Sequence, residues 1–181
     1  ILLGTAGYGL YSVKDRNTQK GTDDLFTIRQ ERQYAERDSD VFFTHIYEDK
    51  HHYLWQSSHL SIFTRFIKKQ GKVQRKDFKS PCGAPVAFIQ HRPQTMLIAC
   101  MYGIIYYDYR TGRIADAGYD FGGYQNNVTI NNATFDHEGN LYISTSEHGV
   151  LMIRKGSNRV EQLENSNSSF NLATSFVNEI I

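Results

Sequence analysis

Two histidines next to two carboxylates form the cluster of the sequence that most resembles a metal site. Glu48 and Asp49 are followed closely by His51 and His52, and imidazole and carboxylate groups are common zinc ligands. Adjacent residues at the end of a strand point to opposite faces, however, so the two histidines cannot both face one ion without help from elsewhere. We therefore predict no metal site here, and no cofactor elsewhere in the chain.

Other patterns that could carry catalysis are incomplete. The segment Gly4–Gly9 is rich in glycine, but its spacing differs from that of a nucleotide loop and the residues after it predict a strand, where a phosphate site needs a helix. Neither a nucleophile elbow nor a His-Glu-x-x-His motif is present. Carboxylate pairs for glycoside cleavage depend on their separation in the fold, which the sequence does not give. We predict no catalytic residues and no enzymatic activity in this segment.

The composition indicates a β-rich globular protein with a balanced charge. The 181 residues are 40% hydrophobic, with 12 Tyr, 11 Phe and 14 Gly against 3 Pro. Aromatic side chains suit the half-buried surface of a sheet, and glycines suit many short turns. Since 20 basic residues face 19 acidic ones, no overall field favours nucleic acid or an anionic membrane. We predict no nucleic-acid partner.

Cysteines and apolar runs give little sign of a disulfide scaffold or a membrane span. Cys82 and Cys100 are the only cysteines and form no Cys-x-x-Cys pair, so we predict two unpaired thiols with Cys100 in the core, although one disulfide remains open. No apolar run approaches the ~18 residues of a span. Because the chain starts at Ile1 on a strand-like run, we expect an excerpt of a longer polypeptide, with any membrane association through segments outside it.

The same pattern occurs four times along the chain. A strand-like run ends in a small residue and Thr or Ser, or in Cys in one copy, and a short loop leads to a second apolar run. The copies are Ile1–Thr5 with Gly9–Val13, Leu54–Ser58 with Leu60–Phe63, Met96–Cys100 with Gly103–Tyr107, and Leu141–Thr145 with Gly149–Ile153. Their first residues are about 40 to 50 residues apart, which is the length of a four-stranded propeller blade.

Further runs complete each copy to four strands, A to D. First strands are predicted at Phe42–Asp49, Pro85–Gln90 and Val128–Asp136, and fourth strands at Leu25–Ile28, Gly71–Gln74, Arg113–Ala115 and Arg159–Leu163. The sequence therefore predicts an all-β β-propeller of about four blades, each of four antiparallel strands. The predicted blades span residues 1–35, 41–79, 84–118 and 128–165. Residues 175–181 are predicted as the first strand of a further blade.

A finer pattern shared by the copies points to a known family. Its residues are Leu3–Thr5 with Gly9–Tyr11, Glu48–Asp49 with Leu54–Trp55, and Asp136–Thr145 with Gly149–Val150. In these residues the copies resemble the two-component regulator propeller repeat. The resemblance implies an arc of a larger, seven-blade type ring. It also implies the periplasmic sensor domain of a bacterial hybrid two-component system, a membrane receptor with its histidine kinase elsewhere in the polypeptide. Such a receptor would sense carbohydrate and signal as a homodimer.

Two copies depart from the repeat. In the third, Gln90–Thr95 lacks the Asp and Gly of the first turn, and Cys100 stands where Thr is expected. In the second, His52 stands where Gly is expected. These departures weaken the predicted blade boundaries more than the predicted fold.

The link between the third and fourth blades is the predicted binding segment. Residues 117–127 combine aromatic and polar side chains on a glycine-rich backbone, a mixture that can stack on sugar rings and hydrogen-bond their hydroxyls. Links of this kind share one face of a propeller with the loops between second and third strands. The predicted ligand-binding residues are Tyr8, Tyr102, Tyr119, Asp120, Tyr124, Gln125, Asn126 and His148. The alternative is that these aromatic residues only pack between blades.

Three functions remain open from the sequence. The first is a segment that senses a carbohydrate or other small ligand. The second is a structural or protein-interaction propeller without its own ligand site. The third is a propeller enzyme that acts on polysaccharide. The basic stretch Lys68–Lys76 is predicted to be a solvated hairpin between the third and fourth strands of the second blade, with an anionic partner as the alternative.

Overall fold

The computed structural model describes residues 2–5, 7–15, 26–34, 44–163 and 176–180. These residues form four separate antiparallel sheets and almost no helix. The strands are β1 (Leu2–Thr5), β2 (Gly9–Asp15), β3 (Phe26–Gln30), β4 (His45–Glu48), β5 (Leu54–Ser57), β6 (Ile62–Lys69), β7 (Lys72–Lys79), β8 (Pro85–Arg92), β9 (Thr95–Cys100), β10 (Gly103–Asp108), β11 (Arg113–Asp116), β12 (Ile130–Phe135), β13 (Leu141–Thr145), β14 (Val150–Ile153) and β15 (Val160–Gln162).

Each sheet is one blade of a β-propeller, with neighbouring strands consecutive in the chain. Blade one contains β1 to β3, blade two β4 to β7, blade three β8 to β11 and blade four β12 to β15. The predicted all-β propeller fold is confirmed, and the described residues of blade one form three strands. The chain divides into two compact units, Ile1–Lys79 and Ser80–Ile181, so each unit holds two blades and is described by itself.

The inner strands of blades two and three are buried. In blade two every residue of β5 is buried, including the polar Gln56 and Ser57, and in blade three the same holds for Met96–Cys100 of β9. The apolar run of β9 is typical of a strand covered on both sides, which lacks the alternation of a half-exposed strand. In the second unit, Leu97, Ile143 and Leu151 belong to one buried cluster that spans blades three and four.

The first unit has an aromatic core. The rings of Phe63 and Phe78 stack with centroids 5.2 Å apart, and the ring of Trp55 lies 5.8 Å from that of Phe78. The guanidinium of Arg65 lies 5.7 Å from the centroid of the Trp55 ring, at a distance where cation–π attraction contributes. On the other side of β5, Leu54 packs with other apolar residues of the unit.

The turn between the first two strands is the same in blades two and four. In blade two the carboxylate of Asp49 accepts a hydrogen bond of 3.0 Å from the Tyr53 N–H. In blade four the carboxylate of Asp136 accepts one of 2.8 Å from the Asn140 N–H. The residue just before the one that bonds the aspartate has positive φ in both turns. The angle is 57° at His52 and 90° at Gly139. His52 therefore takes the backbone conformation that the repeat normally gives to glycine.

The turn between the second and third strands is the same in blades one and four. The hydroxyl of Thr5 donates 2.8 Å to the carbonyl of Gly9 and accepts 3.2 Å from the Tyr8 N–H. Thr145 makes the same two bonds, each 2.9 Å long, to Gly149 and from His148. The repeat found in the sequence is therefore also a repeat of hydrogen bonds.

Blade three closes its first turn in another way. Gln90 stands in a register irregularity of the β8–β9 pair, and its side-chain amide donates 2.7 Å to the carbonyl of Arg92 and 3.1 Å to that of Thr95. The amide thus supplies bonds across the turn where blades two and four use an aspartate. The sheet is complete although this turn departs from the repeat.

The basic stretch of the sequence lies in a long hairpin of blade two. Strands β6 and β7 are eight residues each, longer than the sequence predicts. Gln70 and Gly71 both have positive φ, 50° and 77°, as a two-residue hairpin turn of type I′ requires. The hairpin predicted around Gly71 is therefore confirmed.

The tail contacts blade four but is not a strand within residues 176–180. The Val177 N–H donates 2.9 Å to the carbonyl of Thr145, as the Ile130 N–H donates 2.8 Å to that of Met101. Val177 also accepts 2.8 Å from the side chain of Asn131. The tail thus meets blade four much as the start of β12 meets blade three. Residues 175 and 181 of the predicted strand lie outside the described residues.

Candidate functional site

The link between blades three and four is folded onto the core of the second unit. It leaves β11 through a tight turn in which the Gly118 N–H donates 2.6 Å to the Asp116 carboxylate. Phe121 is buried in the unit's core cluster and is followed by a short 3₁₀ turn, Gly122–Tyr124. The aromatic anchor and the turn hold the link against the blades.

The link also runs beside the outer edge of blade four. The Asp120 N–H donates 2.7 Å to the carbonyl of Asn158, and the Asp120 carbonyl accepts 3.0 Å from the Val160 N–H. This parallel bridge satisfies backbone groups at the start of the short edge strand β15. The Asp120 carboxylate accepts 2.9 Å from the Gly122 N–H. Asp120 therefore shapes the link through its main chain and its side chain.

A cleft of about 80 Å³ lies where this link meets the turn after β9. Three of the residues predicted from the sequence line it. The full lining is Tyr102, Gly103, Ile104, Asp116, Tyr119, Phe121, Gln125 and Val128. The structure thus joins aromatic rings, a carboxylate and an amide around one opening.

Exposure differs among the lining side chains. Tyr102 is 61% exposed and offers its ring to solvent at the rim, while its N–H donates 3.0 Å to the carbonyl of Cys82. Tyr119 is half-buried against the core, and burial raises the pKa of its hydroxyl, with nearby Arg92 opposing. The Tyr119 hydroxyl is therefore a neutral hydrogen-bonding group, whereas Gln125 is exposed.

The size of the cleft limits what can enter it. Sites that enclose a drug-sized ligand have volumes of about 300 to 1,000 Å³, several times the volume found here. A space of 80 Å³ admits a few water molecules or one small polar group. A larger ligand would insert an edge or an end and leave the rest against the exposed rim.

Two of the predicted residues stabilise the link and do not line the cleft. The ring of Tyr124 meets the ring of His148 edge-on at 5.0 Å. A ring nitrogen of His148 lies 2.6 Å from the carbonyl oxygen of Asn127, and the His148 carbonyl accepts 3.1 Å from Gln162. His148 therefore joins the link to the second turn of blade four.

Two acidic residues near the link were missed at the sequence level. Asp116 lines the cleft, and the Glu147 carboxylate accepts 2.8 Å bonds from both the N–H and the hydroxyl of Thr129. Glu147 could have been predicted to lie near the link, because it is next to His148 in the same predicted loop. Asp116 ends a strand, and no comparable pattern marks it in the sequence.

The two remaining predicted residues do not line the cleft. Asn126 is exposed beside Gln125. Tyr8 is 72% exposed and belongs to the first unit, where its N–H is held by Thr5 and its carbonyl accepts 3.2 Å from Gln30. Tyr8 has the position in its turn that His148 has in blade four.

The histidines next to Glu48 do not gather into a metal site. An imidazole nitrogen of His52 lies 2.7 Å from the Glu48 carboxylate on the surface, and the ring of His51 lies beside that of Tyr53. Within the part of the chain that the structure describes, no group of three or more His, Cys, Asp or Glu residues could hold a metal ion. Among the same residues, no helix is long and apolar enough to cross a membrane.

Comparisons with known proteins show the fold. No protein-family model matches the sequence, and no curated protein matches it. Among solved structures, the extracellular domain of a candidate one-component system of B. thetaiotaomicron, BT4673, is similar over 97% of this chain, with a TM-score of 0.66 at 16% identity. The extracellular domain of a candidate hybrid two-component system of the same organism, BT3049, is similar over 99%, with a TM-score of 0.53 at 11% identity.

This chain spans only 22% and 29% of those two solved chains. The fold that the sequence repeat predicts is therefore the fold found in these extracellular domains, and the chain corresponds to less than a third of either one.

Proposed function

We propose that the chain is a ligand-sensing propeller segment of an extracytoplasmic receptor, on the periplasmic side of a bacterial inner membrane. Its fold supports this, because the two similar structures are extracellular domains of candidate one-component and hybrid two-component systems. The repeat in the sequence supports the same class of protein. In this proposal the segment itself is not an enzyme, and a histidine kinase elsewhere in the polypeptide produces the output.

The observation that carries a ligand site is the cleft at the link. Tyr102 presents an exposed ring at the rim, and Asp116, Tyr119 and Gln125 supply polar groups around a small opening. The apolar face of a sugar ring packs against an aromatic ring, while its hydroxyls can donate to a carboxylate and bond an amide. We propose a carbohydrate that inserts one edge into the cleft and stacks on Tyr102.

Coupling of this site to a signal would run through the link. The link lines the cleft and is also fastened to blade four, at Asp120 through the edge bridge and at Asn127 through His148. A ligand shifts a receptor between two arrangements only if it binds one of them more tightly. A carbohydrate that contacts the link and the turn after β9 together would favour one spacing of these segments, and a receptor dimer would transmit the change.

Calorimetric titration with a panel of oligosaccharides tests this proposal. We expect at least one glycan to bind the wild-type chain and Tyr102→Ala to weaken binding by about tenfold or more, as for an aromatic contact at the centre of a site. Gln125→Ala should also weaken binding, whereas Asn126→Ala, the same kind of truncation one residue further on, should change it little. Binding of no glycan, or equal losses at 125 and 126, would remove support for the cleft as the site.

A further inference from the structure

Cys82 and Cys100 lie side by side in blade three. Cys100 ends β9 and is paired in register with Pro85 of β8. The segment before β8 continues along the turn that follows β9, because the Met101 N–H donates 3.0 Å to the Ala84 carbonyl and the Tyr102 N–H donates 3.0 Å to that of Cys82. These bonds fix the two backbones that carry the thiols.

One hydroxyl touches both sulfur atoms. The Ser80 Oγ lies 3.2 Å from the Cys100 Sγ and 3.6 Å from the Cys82 Sγ. A Cβ built at Gly103 would lie 3.3 Å from the Cys82 Cβ and 3.8 Å from its Sγ, so the Gly103 backbone lies directly against the Cys82 side chain. The sulfurs are therefore held within reach of one another.

The two thiols differ in access and in acidity. Cys100 is fully buried, while Cys82 is half-buried. The hydrogen bond with Cys100 lowers the pKa of the Cys82 thiol to about 7, with burial acting against this and Ser80 in its favour. The hydrogen bond and burial raise the pKa of Cys100. Since the thiolate is the nucleophile, Cys82 is the thiol that reacts first.

We propose that Cys82 and Cys100 form an oxidisable dithiol that a small disulfide oxidant converts to an intramolecular disulfide. The Cys82 thiolate attacks the oxidant's S–S bond, which breaks, forms a mixed disulfide and expels one thiolate. Cys100 then loses its proton and attacks the Cys82 sulfur, expelling the second thiolate. The protein loses two electrons and two protons, and the oxidant becomes two thiols.

The disulfide would fasten the segment before β8 to the end of β9, next to the cleft. Tyr102, at the rim, already bonds the Cys82 carbonyl, so the oxidised pair would fix the backbone on which this ring stands. The inference rests on the geometry of blade three and does not depend on what the cleft binds. The structure confirms the predicted unpaired thiols, with Cys100 in the core, and the proposal concerns what an oxidant does to them.

The test is to incubate the folded chain in oxidised glutathione, stop exchange with acid, alkylate and measure the intact mass. We expect the wild-type chain to lose both alkylatable thiols without retaining glutathione, and digestion to yield one peptide pair joined between residues 82 and 100. Dithiothreitol should restore both thiols. The oxidised chain should also unfold at a temperature several degrees higher than the reduced one, because a cross-link constrains the unfolded chain.

Single variants separate this chemistry from simple surface modification. Cys100→Ser should keep glutathione on Cys82, and Cys82→Ser should leave Cys100 unmodified in the folded chain. If Cys100→Ser does not fold, Cys82→Ser and the wild-type chain still decide the matter. Two thiols that stay alkylatable in the wild type, a glutathione adduct that persists there, or a cross-link that forms only in urea would each overturn the proposal.

Discussion

The Asp49 carboxylate accepts a 2.7 Å hydrogen bond from the indole N–H of Trp55, and both residues are almost completely buried. The other carboxylate oxygen accepts from the main-chain N–H groups of His51 and Tyr53. The Asp49 side chain thus closes the first turn of blade two and also provides the acceptor for the buried indole N–H of Trp55. In blade four the Asp136 carboxylate likewise closes its turn, and it also accepts 2.9 Å from the side-chain amide of Asn140.

Removal of the Asp49 carboxylate should destabilise blade two. We expect Asp49→Ala to lower the free energy of unfolding by about 3 kcal/mol, because it leaves a buried indole N–H and two turn amides without their acceptor. Trp55 is the only tryptophan of the chain, so its fluorescence during denaturation reports this blade directly. Glu48→Ala, an exposed neighbour, is the control and should change stability by less than about 0.5 kcal/mol. Similar losses in the two variants would contradict this interpretation.

The positive φ of His52 should cost stability that glycine would restore. We expect His52→Gly to raise the free energy of unfolding of blade two by about 1 kcal/mol, because the left-handed conformation is strained for a residue with a Cβ. The variant also loses the surface contact of His52 with Glu48, which in an exposed pair contributes little. Trp55 fluorescence again provides the measurement. The reverse change, Gly139→Ala in blade four, should destabilise that turn, and a gain there would contradict the argument.

Acid should weaken the first turn of blade four. Burial acts to raise the pKa of Asp136, but hydrogen bonds from Asn140 and from neighbouring backbone groups outweigh it and hold the pKa below its ordinary value of 3.8. A lowered pKa in the folded state means that the carboxylate stabilises the fold above pH ~4 and loses this contribution as the pH falls through the folded pKa. We expect the midpoint temperatures of thermal unfolding of the wild type and of Asp136→Asn to converge at pH values below the folded pKa. A constant difference down to pH 2 would exclude the linkage.

The threonine of the second turn should matter in blade four through its hydroxyl alone. Thr145 is fully buried, and valine has the same shape without the two hydrogen bonds to the turn. We expect Thr145→Val to cost about 2 kcal/mol and to increase amide exchange in β13 and β14. Thr129→Val, which removes a partly exposed hydroxyl bonded to Glu147, should cost less. Equal exchange in wild type and Thr145→Val would show that the turn does not need the hydroxyl.

The tail is proposed to be the first strand of a further blade, seated on blade four. We expect Asn131→Ala, which removes the donor to the Val177 carbonyl, to speed amide exchange at Val177 by about tenfold while β13 is unaffected. Asn132→Ala, on the neighbouring residue, serves as the control. If the Val177 amide of the wild-type chain exchanges as fast as in an unfolded peptide, the tail does not pack on blade four.

Much of the fold could be predicted because the repeat specifies its turns chemically. The pattern at Leu141–Thr145 matches β13 to the residue, since an aspartate and a positive-φ glycine form the turn before the strand and a threonine ends it. The prediction was less accurate in blade two, where the third strand was expected from Leu60 to Phe63 and runs from Ile62 to Lys69. That strand is long and basic towards its end, so its apolar run does not mark its limits.

The site was predicted only in outline. Tyr102, Tyr119 and Gln125 line the cleft, but the sequence could not separate them from Asp120 and His148, which hold the link in place. That distinction depends on a bridge to residue 159 and on a bond to the carbonyl of residue 127. Both contacts involve main-chain groups of segments that are distant in sequence. Every residue type has these main-chain groups, so residue type does not predict the contacts.

The turn between the second and third strands has the same hydrogen bonds in blades one and four but a different residue at one position. The main-chain N–H at positions 8 and 148 donates to the hydroxyl of the threonine three residues earlier, and the side chain takes no part in these bonds. One blade carries a tyrosine there and the other a histidine, with the same architecture around each. Because threonine and glycine close the turn, the residue between them can differ from blade to blade without loss of these hydrogen bonds, and its side chain is available for a local contact such as that of His148 with Asn127.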